Sequence, residues 1–354
     1  SSAAEEKEVE AAMKKAVLRQ FGEPLTIESC PIPTPGAGEA LVKVKASGLC
    51  VSDIHIQDGL LSTVRLPYTP GHEMAGVVCR LGEGVPEGAL YPGQHVVCAI
   101  DITCGHCRPC RIGRKNLCLN RVRIGFERDG SHEEYAVVPY ENLLPIDSRI
   151  PFAQAAIIPD AVACMYHAVV TQGKVSGGDR VLFYGTGALG LQGVQIARHC
   201  GAEIYAAART QAKLEKALEF GAHAAINTKQ QDLYDELMRL TDGDLCDVIF
   251  DLVGNADTID ELLRCVRPGG KIVALAYGAP SFRVNCQELV LREKEVLGLR
   301  GSTREELQEC IRLVENGTLT PYVSDFYRLE QINDALAALR ACSGLGRSAI
   351  VFDD

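Results

Sequence analysis

The chain has 354 residues and a formal net charge of −10 at pH 7, with 47% hydrophobic and 23% charged residues. This length favours two domains, each large enough to bury its own core. The acidic balance argues against a nucleic-acid partner or a basic membrane-surface protein, because both need clustered Lys and Arg to meet phosphates.

The first segment, SSAAEEKEVEAA, is acidic and lacks the apolar core of a signal peptide. We expect residues 1–12 to be a poorly ordered leader or tag before a natural start at Met13. No apolar run approaches the length of a membrane span. We therefore expect a cytoplasmic protein without a membrane partner, in which closely spaced members of the fifteen cysteines bind metal rather than form disulfides.

Residues 13–160 are rich in Gly and Pro and contain short strand-like runs, namely EALVKVKAS, MAGVVCRLG, GQHVVCAI and EEYAVVP. Such runs, separated by turn-forming residues, predict an irregular antiparallel β domain with long functional loops.

Two loops of this region combine cysteine, histidine and acidic residues. GLCVSDIH contains Cys50, Ser52, Asp53 and His55, and PGHEMAG contains His72 and Glu73. A cysteine and a histidine on separate loops can bind zinc and leave room for water or substrate. Each residue alone is more simply explained as structural, since a single histidine is more often a satisfied core residue than a ligand.

A third loop carries four cysteines at C-x2-C-x2-C-x7-C spacing: Cys104, Cys107, Cys110 and Cys118. Four thiolates can close tetrahedrally around zinc and leave no coordination position for substrate, so such a site would only stabilise the loop. An iron–sulfur cluster is the main alternative, because cysteine runs also bind clusters. His106, within the run, is interpreted as a surface loop residue.

The pattern changes after a helix-like segment, FAQAAIIPDAVACMYHAVV. Within residues 161–302, strand-like segments at Arg180–Tyr184 and Glu203–Ala208 begin an alternation of strands and helices. This alternation predicts a doubly wound parallel sheet. A G-x-G-x-x-G motif, GTGALG, follows the first strand and opens a helix, which is the context that dinucleotide binding requires. Residues 303–354 begin helix-like and end on the strand-like GRSAIVF, and we expect them to pack back on the first domain.

In order and spacing, these motifs resemble those of zinc-dependent medium-chain alcohol dehydrogenases, in the medium-chain dehydrogenase/reductase superfamily, over residues 13–354. The resemblance implies an α/β protein with an irregular β-rich GroES-like catalytic domain (13–160, with 303–354) and a Rossmann domain (161–302). It also implies two zinc ions per chain, with the four cysteines holding the structural one.

The family pattern also implies individual roles. Cys50 and His72 resemble two ligands of the catalytic zinc, and Glu73 resembles an acid that approaches this metal transiently. Asp53 resembles the carboxylate that orients the ligand histidine, while Ser52 and His55 resemble a proton relay. The third ligand is a cysteine in many relatives, but here the position is Asp160, which we predict binds zinc. Cys164 lies one helical turn onward and should not reach the same point.

The resemblance implies a nicotinamide cofactor along the glycine-rich turn. The residues predicted to contact it are Gly185, Thr186, Gly187, Ala188, Leu189, Gly190, Arg209, Thr210, Lys213, Leu252, Val253, Ala276, Tyr277 and Arg347. NAD-selective relatives carry an acid about 20 residues past the glycines, where this chain has Ala208. Arg209 beside it could bind a 2′-phosphate, so we predict NADP over NAD. Arg209 stacked on adenine in an NAD enzyme is the alternative.

The predicted activity is reversible hydride transfer between the cofactor and a small-molecule alcohol or carbonyl compound. Ser52, in place of a bulkier threonine, and Ile100, at a position that is aromatic in some relatives, indicate a pocket for secondary or cyclic alcohols. Relatives pair through their cofactor domains, which implies a homodimer or homotetramer whose candidate edge is EVLGL near residue 297. The alternatives are a zinc-free quinone or enoyl reductase and a non-enzymatic dinucleotide-binding protein.

Overall fold

Two large β-sheets organise the computed structural model, which describes residues 12–276 and 280–353. The predicted contact at Tyr277 and the predicted leader up to residue 11 lie outside the described residues. The strands are β1 (Ala12–Val17), β2 (Thr26–Pro31), β3 (Glu39–Leu49), β4 (Glu73–Leu81), β5 (His95–Cys98), β6 (Asp101–Ile102), β7 (Val122–Arg123), β8 (Tyr135–Pro139), β9 (Leu143–Pro145), β10 (Arg180–Tyr184), β11 (Glu203–Ala208), β12 (Ala224–Asn227), β13 (Cys246–Asp251), β14 (Val266–Ala274), β15 (Glu295–Gly298), β16 (Val323–Tyr327) and β17 (Arg347–Val351).

Helices cover these sheets and join their strands. The α-helices are α1 (Val51–Gln57), α2 (Arg108–Arg111), α3 (Phe152–Ala156), α4 (Ala163–Tyr166), α5 (Ala188–His199), α6 (Gln211–Glu219), α7 (Leu233–Leu240), α8 (Thr258–Cys265), α9 (Cys286–Leu291), α10 (Arg304–Glu315) and α11 (Ile332–Arg340). No helix in the described part of the chain is long and apolar enough to cross a membrane.

The first sheet contains seven strands in the order β16-β17-β3-β4-β5-β9, with β8 also paired to β3. Its strands pair antiparallel, as predicted for this region, except that β16 and β17 are parallel. Strand β17 lies next to β3, with Ser348 opposite Leu49. Residues from the end of the chain therefore complete a sheet that begins near its start.

The second sheet contains six parallel strands in the order β12-β11-β10-β13-β14-β15. This order is that of a Rossmann fold, in which a ligand binds where the strand order reverses, here between β10 and β13. The predicted doubly wound sheet is confirmed. The two strands predicted at Arg180–Tyr184 and Glu203–Ala208 have these bounds in the structure.

The segment that joins the two sheets differs from the single helix that its sequence suggests. After α3 the chain forms a π-helical turn at Ile158–Val162, then α4, then a second π-helical segment at His167–Gln172. Pro159 is the second residue of the first π turn, and because proline lacks an N–H it cannot continue the α-helical ladder. Wide π turns of this kind often occur at functional sites, and Asp160 lies within this one.

Close packing of α5 against the second sheet depends on Gly193. A Cβ atom at this position would lie 2.4 Å from Phe183 Cε1 and 2.6 Å from Met165 Cε. Both neighbours are completely buried, so they have little room to move. Gly193 thus allows the helix, the sheet and α4 to share one core.

We expect Gly193→Ala to lower the thermal unfolding midpoint, because overpacking a tight core costs roughly 1–3 kcal/mol. Helix propensity alone would give the opposite sign, since alanine is favoured over glycine by about 1 kcal/mol. Gly177→Ala is the matched control, because its Cβ would meet only Cys200 O, at 3.8 Å. Differential scanning calorimetry of both variants checks this, and equal midpoints would contradict it.

Candidate active site

Three loops and turns bring Cys50, His72 and Asp160 together. Cys50 caps the N-terminus of α1, His72 immediately precedes β4, and Asp160 lies in the first π turn. The potential ligand atoms of these residues all lie within 4.8 Å of one another. Cys50 Sγ is 3.5 Å and His72 Nε2 is 3.6 Å from Asp160 Oδ2. A tetrahedral zinc site separates its ligand atoms by roughly 3.3–3.8 Å, so the donor set fits zinc.

The charge of Asp160 also suits a cation. Burial by itself would raise the pKa of Asp160, but His72 and Arg347 hold that pKa well below its usual range. Asp160 is therefore a carboxylate at neutral pH. Cys164 lines the neighbouring cavity but is not part of the ligand cluster, as predicted from its position one turn onward.

Asp53 lies behind His72, on the side away from Asp160. Its Oδ2 accepts a hydrogen bond from the backbone N–H of Cys50 at 2.8 Å, and its Oδ1 lies 3.6 Å from His72 Nδ1. A carboxylate facing the second nitrogen of a ligand histidine fixes the tautomer and orientation of that ring. One acid thus contacts the segments that carry two of the three potential ligands.

Ser52 and His55 lie on α1 and line the same cavity as the ligand cluster. Ser52 Oγ is 3.7 Å from Cys50 Sγ, and His55 follows three residues later, on the same face of the helix. Burial lowers the pKa of His55 below its usual value, so its imidazole is neutral at pH 7 and can accept a proton.

Arg347, Glu73 and Asp160 form an ion-pair triad next to the other potential ligands. Arg347 Nε lies 3.1 Å from both carboxylate oxygens of Glu73, and its Nη2 donates to Asp160 Oδ2 at 2.6 Å. Arg347 and Glu73 are 3% and 0% exposed. Burial raises the pKa of Glu73 to about 7, against the opposing effect of Arg347. The structure thus brings Arg347 to the two acids, and its contact with a cofactor pyrophosphate stays a prediction.

The four-cysteine loop forms a second, separate cluster. The Sγ atom of Cys107 lies 3.4 Å from that of Cys110 and 3.9 Å from that of Cys118, which is 3.5 Å from Cys104 Sγ. Backbone N–H groups, chiefly that of Cys107, lower the pKa of Cys104 to about 5. These separations fit one tetrahedral ion, whereas a multi-iron cluster would hold its thiolates further apart. His106 is exposed, and its ring Nδ1 lies 2.7 Å from Cys104 O.

A cavity of about 940 Å³ connects the ligand cluster to the Rossmann sheet. Leu189, at the start of α5, and Leu252 and Val253, just after β13, line it together with Ala276. They surround the point where the strand order reverses. Several predicted cofactor residues therefore meet at one cleft with the predicted metal ligands.

The glycine-rich turn begins immediately after β10. Gly185 has a φ of 105°, a left-handed conformation that favours glycine, and Gly187 caps α5. A Cβ on Gly190 would lie 2.3 Å from Gly185 O. Thr186 is buried between these glycines and Ala188 is the first helical residue. Because the glycines have no side chains, a phosphate can approach the backbone closely at the N-terminus of α5, where helix N–H groups bind anions.

The predicted phosphate-binding residues follow β11, one strand away from the glycine-rich turn. Arg209 and Thr210 are exposed, and Thr210 caps α6. Lys213 Nζ donates to Cys342 O at 3.3 Å, and Cys342 lines the cavity. Ala208 ends the strand, so no carboxylate stands there.

Ile100, predicted to line the substrate pocket, lies in the wall of this cavity. Further apolar lining comes from Val51, Phe126, Leu275, Leu299 and Leu307, and charged lining residues include Asp101, Arg300 and Arg304. The Phe126 ring packs against His72 at a centroid distance of 4.9 Å. Sequence reasoning missed Phe126, because a single phenylalanine in a loop carries no periodic or motif signal.

Two polar residues of this region were also missed. Arg300 binds Asp101 through both guanidinium nitrogens at 2.5 and 2.8 Å, while its carbonyl accepts from Asn116 in the cysteine loop. His132 lies completely buried beside Asp53. The sequence offered no clear signal for His132, because it lies within the polar stretch ERDGSHEE, which is typical of an exposed loop.

Comparison with known proteins agrees with this geometry. A family model described as alcohol dehydrogenase GroES-like domain matches residues 36–148, and one described as zinc-binding dehydrogenase matches residues 188–316. L-threonine 3-dehydrogenase of Stenotrophomonas maltophilia (strain K279a) is 32% identical over 82% of this chain and 84% of that protein.

Solved structures are similar over nearly the full length. The crystal structure of AibC has a TM-score of 0.90 at 32% identity and covers 100% of this chain and 99% of its own. Acetophenone reductase from Geotrichum candidum NBRC 4597, in complex with NAD, has a TM-score of 0.87 at 29% identity and covers 96% and 97%. Together with the two family models, these relatives show that the chain belongs to the zinc-dependent medium-chain dehydrogenases, a family of NAD(P)-dependent oxidoreductases.

Proposed function

We propose that this protein is a zinc-dependent alcohol dehydrogenase that transfers hydride reversibly between a secondary or cyclic alcohol and a nicotinamide cofactor, preferably NADP. The observation that carries the proposal is the position of the Cys50, His72 and Asp160 donor atoms, which lie within 4.8 Å of one another. They line the same cavity as Leu189, which belongs to the glycine-rich motif, and as Leu252 and Val253, which follow β13. A zinc-free reductase would have no use for this donor set.

Zinc bound by Cys50, His72 and Asp160 would supply Lewis acidity that lowers the pKa of an alcohol hydroxyl. Ser52 accepts the hydroxyl proton, and neutral His55, on the same face of α1, passes it on to solvent. A bound nicotinamide would supply the hydride acceptor for the alcohol carbon and, in its reduced form, the hydride donor for a carbonyl carbon. In the reverse direction Ser52 and His55 return the proton to the oxygen.

The cavity wall supports a secondary or cyclic alcohol as substrate. Ser52 is small, and Ile100 and Leu299 present aliphatic rather than charged groups to the cavity. The similar acetophenone reductase is named for a ketone with an aromatic ring, whose reduction gives a secondary alcohol. Substrates with a branched or cyclic carbon next to the hydroxyl should therefore bind well.

The end of β11 supports the preference for NADP. Ala208 leaves no carboxylate to repel a 2′-phosphate, and the exposed Arg209 next to it can bind phosphate through two parallel hydrogen bonds. Lys213, in the first turn of α6, adds positive charge on the same side. The acetophenone reductase complex contains NAD, whereas a similar structure of a zinc-binding dehydrogenase from Sinorhizobium meliloti 1021 is bound to NADP, so the family fold itself accommodates either nicotinamide.

The free edge of the Rossmann sheet supports a homodimer or homotetramer. Strand β15 is its edge strand, and Val290 and Leu291 just before it are 69% and 79% exposed. An unpaired edge beside exposed apolar residues is suited to pairing with a second copy.

The cysteines of the described chain are all free thiols, which suits the reducing cytoplasm that we propose as the location of the protein.

We expect secondary and cyclic alcohols to give higher kcat/KM values than primary alcohols or polyols of equal carbon number. At equal carbon number, a secondary or cyclic alcohol places more of its CH₂ groups next to the hydroxyl carbon, beside Ser52 and Ile100. Each additional CH₂ buried there contributes about 0.8 kcal/mol, or roughly fourfold. Steady-state assays with a matched alcohol panel and both oxidised nicotinamides measure this. Higher kcat/KM for primary alcohols would refute the substrate class. If none of the alcohols or carbonyl compounds were turned over, the function itself would be refuted.

We expect Cys50→Ser and Asp160→Ala to reduce bound zinc from about two ions to about one per chain and to abolish activity without changing the fold. Cys107→Ser should instead lower the unfolding midpoint, by roughly 5–10 °C, because a structural metal contributes folding free energy. Elemental analysis, circular dichroism and kinetics separate the two effects. Full zinc content and activity in Asp160→Ala would contradict its role as a ligand.

We expect Arg209→Ala to raise the KM for NADP by roughly tenfold to a hundredfold, because a charge-assisted hydrogen bond contributes about 1.5–3 kcal/mol. The KM for NAD should change little, since NAD has no 2′-phosphate. Arg239→Ala is the control, because that exposed arginine pairs with Glu236 on α7. Equal catalytic efficiency of the unmodified enzyme with both cofactors would disprove the preference.

A further inference from the structure

Three buried polar atoms without hydrogen-bond partners meet behind the metal cluster. They are Asp53 Oδ1, His72 Nδ1 and His132 Nε2. Asp53 Oδ1 lies 3.6 Å from the nitrogen of His72 and 3.9 Å from the nitrogen of His132. The three residues are 3%, 3% and 0% exposed, so water does not readily satisfy these atoms. A shift of less than 1 Å would bring one carboxylate oxygen into hydrogen bonds with two imidazoles.

The other side of the His132 ring is already bound. Its Nδ1 lies 2.9 Å from Ser47 Oγ, which lies 2.6 Å from Ser131 Oγ. Gly71 makes room for the ring, because a Cβ there would lie 2.8 Å from His132 Nδ1. If the Ser47 hydroxyl donates to Nδ1, the ring proton is on Nε2 and faces Asp53. A carboxylate can only accept, so this tautomer is the one that satisfies both groups.

We propose that His132 is a positioning residue of the metal site, which donates a second N–H to the oxygen of Asp53 that faces His72. Asp53 is then held by three donors: His132, His72 and the backbone N–H of Cys50. Because such outer partners orient metal-binding histidines and tune their basicity, His132 would help to fix the His72 ring with Nε2 toward the metal. This inference rests on the metal site that we proposed above.

The alternative is that His132 is only a packing residue of the core. Its ring contacts serines on β3 and in the loop before β8, and these contacts could stabilise the domain without any effect on the metal. The two possibilities differ in the number of hydrogen bonds that Asp53 loses when the ring nitrogens of His132 are removed. A ring of similar size without nitrogens preserves packing but leaves Asp53 Oδ1 with one donor instead of two.

The test compares His132→Phe and His132→Gln in the zinc-loaded holoenzyme. Outer-partner substitutions typically weaken metal binding 10- to 100-fold, so His132→Phe should lose one zinc per chain to a chelator at a roughly 10- to 100-fold lower chelator concentration. His132→Gln should largely restore retention, because its side-chain amide can donate from a similar position. The visible absorption bands of the cobalt-substituted enzyme should shift in His132→Phe and not in His132→Gln.

His95→Phe is the control, because the half-buried ring of His95 packs against Phe152 and His95 is not a member of the ligand cluster. Zinc retention and cobalt bands in His132→Phe that match those of His95→Phe would overturn the proposal. If His132→Phe does not fold, Ser47→Ala decides, since loss of the Ser47 hydroxyl should weaken zinc retention in the same direction. Cys50→Ser distinguishes failure of the His132 proposal from failure of the proposed metal site. If Cys50→Ser also retains both zinc ions, the proposed metal site itself is wrong.

Discussion

The buried guanidinium of Arg347 is the interaction on which the candidate site depends. It binds Glu73, at the start of β4, and Asp160, in the π turn, while Arg347 itself begins β17. Two carboxylates buried together would repel each other, and an unpaired buried charge costs several kcal/mol. One arginine contacts both carboxylates and so reduces this repulsion, and it ties three distant segments to the same point. The metal cluster, the joining segment and the first sheet therefore depend on a single cation.

In the metal site that we propose, this arrangement also explains how an aspartate can serve as the third ligand. Asp160 Oδ2 accepts from Arg347 and faces Cys50 and His72. Part of the negative charge of the carboxylate is therefore compensated by the protein before any metal binds. Aspartate is also a harder ligand than thiolate. Together these effects leave the ligand set less electron-donating than a set with two thiolates, which favours a more strongly Lewis-acidic ion.

Sequence reasoning succeeded where periodicity and spacing carry the information. The strand-helix alternation predicted β10 and β11 to the residue, and the cysteine spacing predicted a cluster whose sulfurs lie 3.4–3.9 Å apart. It failed at the π turns around Asp160, because these depend on backbone hydrogen bonds that residue propensities do not encode. It also missed His132 and the acid partners of Arg347, because those contacts join segments far apart in the chain and depend on the tertiary fold.

The position of β17 between β16 and β3 has a consequence for the order in which the protein is assembled. During synthesis, β3 and β4 leave the ribosome long before Arg347, and the whole Rossmann sheet is made in between. Until β17 arrives, Glu73 lacks its cation and β3 has an open edge. The β-rich half of the molecule therefore cannot reach its final form before β17 has been made, whereas the continuous Rossmann sheet can form earlier. Chaperone dependence and early misfolding should accordingly concentrate in the β-rich half.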